Sequence, residues 1–253
     1  AVDALSNQKA DKTAVEALSN QKADKTAVEA LDTKKADKTA VDALSNRVTT
    51  LGLTDEYTGI KYFRVKSTAD DAKANATDSV AIGPKAITEA SATKGIAIGD
   101  SAKATGVEAT AVGPSAQAHT YGLAAGSKAR ADGVASIALG QNALSTSENS
   151  VAIGKGAEAK PWRTISIGQD AGKGQLTDII GDKNEHINIG VQAGENIDGQ
   201  LNISIGQKAG SNTLGKGNIA LGQNAGQFTG GTDSSVGNNI AIGTNANRFS
   251  SNT

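Results

Sequence analysis

The sequence predicts a mainly β protein, a parallel β-solenoid preceded by a coiled coil. An eight-residue phrase, SVAIGPKA at 79–86, returns down the chain in forms such as GIAIGDSA, SVAIGKGA and NIAIGTNA. Residues 1–51 repeat instead with a period of 13 residues. The 253-residue chain has 30 Gly, no Met and no Cys, and only 3% of its residues are aromatic. We therefore expect thin elements covered by neighbouring turns or by other chains, not one compact core.

Charge and composition exclude several classes of protein. The 25 basic and 26 acidic residues are interspersed, with a net charge of −1, so the chain has no field that would attract nucleic acid or an anionic membrane. The absence of Cys excludes a disulfide scaffold and a thiolate metal site. The chain has neither an export leader nor an apolar run of about 18 residues, so we expect any anchor or export signal to lie outside it.

Residues 1–53 form the predicted coiled-coil domain. Each repeat carries a Val and a Leu at a/d spacing, as in Val15 and Leu18. A period of 13 residues does not return such pairs to one face of an unbroken helix, so the helical phase must be reset. Capping-box sequences at Thr13, Thr26 and Thr39 predict fresh helix starts, with helices at roughly 13–22, 26–35 and 39–51.

The steps between these helices, at 10–12, 23–25 and 36–38, resemble the short β-layers that interrupt some fibrous coiled coils. In those proteins three chains close each layer by hydrogen bonds. A plain helix with polar seam positions is the alternative.

Residues 79–253 form the predicted solenoid, with inserts near 173–186 and 227–238. Val80 and Ile82 alternate with Ser79 and Ala81, so we expect the β-branched pair to fill a coil interior and the small pair to form a close-packing face against identical copies. About fourteen residues make one coil of two short strands, and eleven coils span on the order of 50 Å. A glycine is predicted to turn each coil at a positive φ. The predicted turn glycines are Gly83, Gly99, Gly113, Gly126, Gly140, Gly154, Gly168, Gly190, Gly206, Gly222 and Gly243.

Residues 54–78 are predicted to join the two domains. Tyr57, Tyr62 and Phe63 lie there beside Arg64 and Lys66. Because a coiled coil and a solenoid differ in width, we expect these bulky side chains to fill the junction.

The lead-in GIKYFRVKSTADDAKANATDSVAIGPKA and the tandem SVAIG units resemble the YadA-like head of trimeric autotransporter adhesins, over roughly residues 57–249. The resemblance implies a left-handed parallel β-roll that forms a homotrimer, with the coiled coil as part of a stalk. It also implies a non-catalytic protein on the bacterial surface, anchored in the outer membrane through a region absent from this chain. Such proteins attach to extracellular-matrix proteins, host cells, abiotic surfaces or other bacteria. The later units, such as ISIGQKAG, have a form that bacteriophage tail fibres also carry, so a phage receptor-binding segment is the alternative.

The motifs of catalysis and cofactor binding are missing, and we predict no catalytic, cofactor or metal residues. His119 and His186 are far apart and lack zinc-binding spacing, and no G-x-S-x-G is present. GKGAEA at 154–159 and GKGNIALG at 215–222 lack the order of a phosphate loop, so we interpret both as solenoid turns. GGTDSSVGNN at 230–239 is similar to calcium-binding glycine-aspartate repeats but occurs once.

The inserts are the predicted places for ligand contact, because loops on a rigid scaffold present side chains freely. The candidate contacts are Trp162, the single Trp of the chain, Lys160 and Arg163 on either side of it, and His186. Alternatively, Trp162 packs beneath the 173–186 insert, which we expect Ile179 and Ile180 to hold down.

Overall fold

The computed structural model describes residues 12–19, 29–30, 38–46, 68–175, 185–227 and 237–248. The chain divides into two units, Ala1–Lys66 and Ser67–Thr253. Each unit is described by itself.

The described part of the first unit is helical, at 12–19, 29–30 and 38–46. Val15, Leu18, Val41 and Leu44 are about 60% exposed, so the predicted seam residues have no cover within one chain. Thr13 and Thr39 lie within helical residues, one position after the first described one, while Thr26 lies outside the described residues. Lys12 and Lys38, predicted as the last residues of non-helical steps, are helical, a difference within the usual uncertainty of helix ends. The capping roles, the β-layers and the coiled coil stay predictions.

The described part of the second unit contains eighteen short strands. In chain order they are β1 (Lys73–Ala74), β2 (Val80–Ile82), β3 (Ile87–Thr88), β4 (Ile96–Ile98), β5 (Lys103–Ala104), β6 (Thr110–Val112), β7 (Gln117–Ala118), β8 (Leu123–Ala125), β9 (Arg130–Ala131), β10 (Ile137–Leu139), β11 (Leu144–Ser145), β12 (Val151–Ile153), β13 (Glu158–Ala159), β14 (Ile165–Ile167), β15 (Ile187–Ile189), β16 (Ile203–Ile205), β17 (Ile219–Leu221) and β18 (Ile240–Ile242). The first strand begins at Lys73, inside the predicted junction of residues 54–78.

These strands form two parallel sheets. The long sheet has eleven strands and runs from β2 through the even-numbered strands to β14, then through β15, β16, β17 and β18. The short sheet has seven strands, the odd-numbered ones from β1 to β13. The chain alternates between the sheets as far as β14, so each coil adds one strand to each sheet. The prediction of a parallel β-solenoid is confirmed.

The interior of each coil is built from small side chains. Ala97 and Ala111 of the long sheet and Ala104 of the short sheet are fully buried in one core cluster. Ser79 also points inward, because its Oγ lies 2.8 Å from Oγ1 of Thr88. The space between the two sheets therefore accommodates methyl and hydroxyl groups.

The predicted assignment of the two strand faces is wrong. Val80 is 42% exposed, and Ile96 and Ile98 are partly exposed on either side of the buried Ala97. The alternation correctly predicted which residues share a face, but the space between the sheets is filled by small side chains, mainly Ala with some Ser and Thr, and leaves no room for Val80 and Ile82. The β-branched residues consequently face outward, and the small residues fill the coil.

The coil changes form after β13. Ala171 and Ala193 occupy the interior positions that precede the second strand in earlier coils, but Gly172 and Gly194 follow them with φ near +65° and +62°. Among the described residues after β13, these turns replace the strands of the short sheet. The long sheet continues unbroken, because β14 pairs directly with β15 across the first predicted insert, and β17 with β18 across the second.

Candidate functional site

The outer face of the long sheet is a continuous apolar surface. Each of its eleven strands presents its first and third residues outward, and only Thr110 and Ala125 among these are not Val, Ile or Leu. Stacked at about 4.8 Å per strand, the surface is on the order of 50 Å long. Val112, Ile189 and Ile205 remain nearly 40% exposed on it.

Such a surface is chemically suited to association. A contiguous apolar patch of this length exceeds what a monomeric soluble protein normally exposes. The strands lie 4.8 Å apart and stand in exact residue register, as in Ile96↔Thr110 and Ile98↔Val112. The outward side chains therefore form two straight rows that a regular partner surface can match.

The turn glycines are required by close approach between coils. All eleven have φ between +112° and +134°. A Cβ added at Gly140 would lie 2.6 Å from the carbonyl oxygen of Gly154 in the next coil. The glycines thus let successive coils stack, and they hold no ligand.

Lys160, Trp162 and Arg163 lie together at one corner of a coil. The Lys160 Nζ lies 2.7 Å from Oε2 of Glu158, which also accepts a hydrogen bond from the Gly174 backbone. The Arg163 guanidinium lies 5.1 Å from the centre of the Trp162 ring and 3.3 Å from Oε1 of Glu185. The three residues form a partly exposed, ion-paired cluster. Residues 176–184, which include Ile179 and Ile180, lie outside the described residues.

His186, unlike that cluster, is buried. Its side chain is 2% exposed, and its Nδ1 accepts a hydrogen bond from the backbone N–H of Asn202 at 3.3 Å. Burial lowers the pKa of His186 to about 4, although a hydrogen bond with the backbone of Gly199 opposes the shift. The prediction that His186 contacts a ligand is therefore corrected, because its side chain lies in the coil interior.

His186 is the first member of a buried amide ladder that sequence analysis missed. Asn202 Oδ1 accepts hydrogen bonds from the backbone N–H and the Nδ2 of Asn218, at 2.8 and 3.0 Å. Asn218 Oδ1 accepts in turn from the backbone and side chain of Asn239. The signal was present in the sequence, because each Asn directly precedes a strand of the long sheet. Ser150 and Thr164 hold the same position in earlier coils.

Among the described residues, the remaining candidates form no arrangement that is typical of a metal or phosphate site. Among residues 12–19, 29–30, 38–46, 68–175, 185–227 and 237–248, no group of three or more His, Cys, Asp or Glu is arranged to hold a metal ion. His119 is exposed beside the short sheet, and Gly154 and Gly156 occupy turns. Most of the 230–239 segment lies outside the described residues. In the part of the chain that the structure describes, no helix has the length and apolarity needed to span a bilayer.

The fold and the uncovered face define a class: a two-sheet parallel β-solenoid built on short SVAIG-type repeats. The family model of the YadA head domain repeat, described as two copies, matches residues 70–86, 90–118, 120–143, 131–157 and 145–171. These repeats lie within residues 70–171 and support a YadA-like head domain of the kind found in trimeric autotransporter adhesins. The family indicates an adhesin-type function at the cell surface. No curated protein and no solved structure gives a significant match to the chain.

The family match ends where the coil changes form. The last strand of the short sheet is β13, ending at Ala159, and the match ends at residue 171. The coils from Gly190 onward extend the long sheet with one strand each and with the amide ladder inside. They are a variation on the matched repeat that keeps the apolar outer face.

Proposed function

We propose that this chain is the head and part of the stalk of a homotrimeric bacterial adhesin, displayed at the outer membrane. Its partners are extracellular-matrix proteins or host cell surfaces, with abiotic surfaces and other bacteria as further targets. The chain requires no cofactor for this function and acts by binding, without catalysis.

The outer face of the long sheet is the observation that carries the proposal. Burying apolar surface contributes about 25 cal/mol per Å², and the described residues of one chain leave much of this face exposed. In a trimer three such faces enclose the axis, so β-branched side chains excluded from the narrow coil interior form a second, shared core. Heads of this family form trimers and bind host matrix, which agrees with this arrangement.

Trimer formation leaves the short sheet and the corners available for ligands. Lys103 and Arg130 point outward from β5 and β9 with ion-paired neighbours, so this side is polar and solvated. Three copies of each weak site on one rod, and many rods on one cell, convert low affinity into avidity. The Lys160, Trp162 and Arg163 cluster is the proposed ligand contact on that side, because its Trp and Arg are the residue types that dominate interfaces.

Two measurements on the soluble chain test the proposal. Native mass spectrometry is expected to give the mass of a trimer, and a stable monomer would overturn the assembly. Binding to immobilised collagen, fibronectin and laminin, and to cultured cells, is expected to fall at least severalfold in Trp162→Ala with Arg163→Ala. Gln117→Ala, an exposed change on β7 of the short sheet, is the control. A trimer that binds none of these surfaces, nor other copies of itself, would contradict the adhesive role.

A bacteriophage receptor-binding segment is the second candidate. The observation in its favour is the IG-x-x-AG form of the coils from Gly190 onward, which lie beyond the family match. Sequencing the complete gene separates the two: an outer-membrane anchoring region indicates the adhesin, and a baseplate-attachment domain indicates the phage.

A further inference from the structure

The long sheet has two margins, one on each side of its apolar face. We define the leading margin as the second and third residues before each strand, and the trailing margin as the first and second residues after each turn glycine. The second residue before most strands of the long sheet is exposed and at positive φ, as at Lys94 and Tyr121, and the trailing margin has Lys85 and Lys128. Both margins therefore project side chains outward, one set per coil.

The charges of the two margins are opposite at the same level of the solenoid. At β2 the leading Asp78 corresponds to the trailing Lys85, and at β4 the leading Lys94 corresponds to Asp100. Along the leading margin the sign changes in three consecutive coils, from Asp78 to Lys94 to Glu108. Within the leading margin this alternation also gives the exposed pair Lys94–Glu108, with N···O at 3.6 Å.

The correspondence continues further up the solenoid. At β12 the leading Glu148 corresponds to the trailing Lys155, and at β14 the leading Arg163 corresponds to Asp170. No coil carries like charges on its two margins. Tyr121 at β8 corresponds to Lys128, a pair suited to a cation–π contact.

Two residues of one coil do not reach each other within one protomer. Lys94 and Asp100 are separated by six residues that include the extended strand β4, a path of roughly 20 Å. A ring of three copies brings the two margins together, each from a different copy. In a closed cyclic assembly each copy presents one margin to its neighbour's other margin, because cyclic interfaces are heterologous.

The charge pattern also favours contact between the margins of coils at the same level over contact that is shifted by one coil. If the leading margin meets the trailing margin one coil higher, Asp78 faces Asp100 and Glu148 faces Asp170, and these like charges cancel the gain from two opposite pairs. A shift of one coil lower gives like-charge pairs only. The following pairs would then face each other: Lys94 and Lys85, Glu108 and Asp100, Glu185 and Asp170, Lys216 and Lys208.

We propose that these margins, outside the Trp162 and Arg163 corner that we assign to ligand contact, are the seams between neighbouring copies of this chain, and that their charges align the three copies coil against coil. The inference rests on the proposed homotrimer and goes beyond it, since it names the surfaces in contact and their register. Exposed apolar side chains on the leading margin support it: Val107, Tyr121 and Val134, in three consecutive coils, are each at least 37% exposed and adjoin the apolar face. The seam covers them with a second copy.

A mixing experiment with two charge-reversed chains tests the seam. Glu148→Lys gives a chain with lysine on both margins at β12, and Lys155→Glu gives a chain with glutamate on both. Each forms homotrimers with three like-charge seams, whereas a mixed trimer has two opposite-charge seams and one like-charge seam. The full chains carry tags of different mass, are unfolded and refolded together, and are weighed by native mass spectrometry.

Random assembly gives about three mixed trimers for each unmixed one. With exposed pairs of ordinary strength, mixed trimers are expected to exceed that ratio roughly tenfold at low salt. The excess is expected to shrink near ~1 M salt, because charges separated by more than about 3 Å are then screened. The double exchange Glu148→Lys with Lys155→Glu is expected to form homotrimers with native stability.

The matched control reverses an ion pair inside one protomer. Glu89→Lys and Lys103→Glu change the pair of 2.8 Å on the short sheet, away from both margins, and their mixture is expected to be random. If the margin variants form trimers but mix at random, the seam is overturned while the trimer stands. If the unchanged chain forms no trimer, the proposed function itself fails.

Discussion

Asn218 donates its side-chain amide to Oδ1 of Asn202, 3.0 Å away in the preceding coil, inside the solenoid. Both side chains are almost completely buried. The same Oδ1 also accepts the backbone N–H of Asn218, so one oxygen connects two coils twice. In the later coils amide hydrogen bonds connect the position before each strand of the long sheet, where the earlier coils carry smaller residues such as Ala109, Ser136 and Ser150.

The ladder predicts a large cost for removing one amide. Asn218→Ala leaves Asn202 Oδ1 with one of its two donors and deprives Asn239 of its acceptor, so we expect a loss of about 1–3 kcal/mol in the free energy of unfolding. Chemical denaturation measures it. Gln223→Ala removes an exposed amide pair with Gln207 and should cost less than about 0.5 kcal/mol. Equal costs for the two variants would contradict the ladder.

His186 predicts a dependence of stability on pH. Its pKa of about 4 in the folded state lies below the ordinary 6.5, so the unfolded state binds more protons between these values. Stability is therefore expected to fall as the pH falls from about 6.5 to about 4, by roughly 3 kcal/mol at most. Thermal unfolding across this range measures the change.

His186→Asn is the matched variant, because Asn holds the equivalent position in three later coils. We expect it to fold and to lose most of the pH dependence in this range. His119→Asn changes an exposed histidine and should keep the dependence. A native pH profile in His186→Asn would show that another group is responsible.

Two of the turn glycines allow the stability cost of a steric clash to be measured apart from the cost of backbone strain. Gly140→Ala places a Cβ 2.6 Å from the Gly154 carbonyl oxygen, whereas Gly243→Ala has nothing within 4 Å at a similarly positive φ of +113°. We expect Gly243→Ala to cost about 1–3 kcal/mol from strain. Gly140→Ala should cost clearly more, or prevent folding. Similar melting temperatures would argue against close stacking as the reason for glycine.

Ala124 and Ala125 predict opposite responses to the same enlargement. Ala124 is fully buried inside the coil, while Ala125 is one of two small residues on the apolar outer face. Ala124→Val is expected to overpack the interior and cost about 1–3 kcal/mol. Ala125→Val adds apolar surface to the face and is expected to leave stability unchanged or raise it, together with the fraction of trimer at low protein concentration. Destabilisation by both would contradict the assignment of the faces.

The repeats fixed much of the fold in advance, because each unit pairs with a copy of itself. The positions of Gly83 through Gly243 set the number of strands in the long sheet, and alternation set which residues share a face. The candidate site was harder to predict from the sequence. Lys160, Trp162 and Arg163 are adjacent in sequence and lie together, but the burial of His186 depends on a neighbouring coil that sequence spacing does not reveal.

The sequence by itself determined a parallel solenoid of stacked repeats, because period-2 alternation and glycine at a constant position leave few other ways to satisfy the backbone. Only the tertiary structure decided which face of each strand lies inside. That choice depends on the distance between the two sheets, which admits Ala97 and Ser79 but excludes Val80 and Ile82. The same distance leaves the β-branched residues of the long sheet exposed within one chain, which is the basis of the proposed homotrimer.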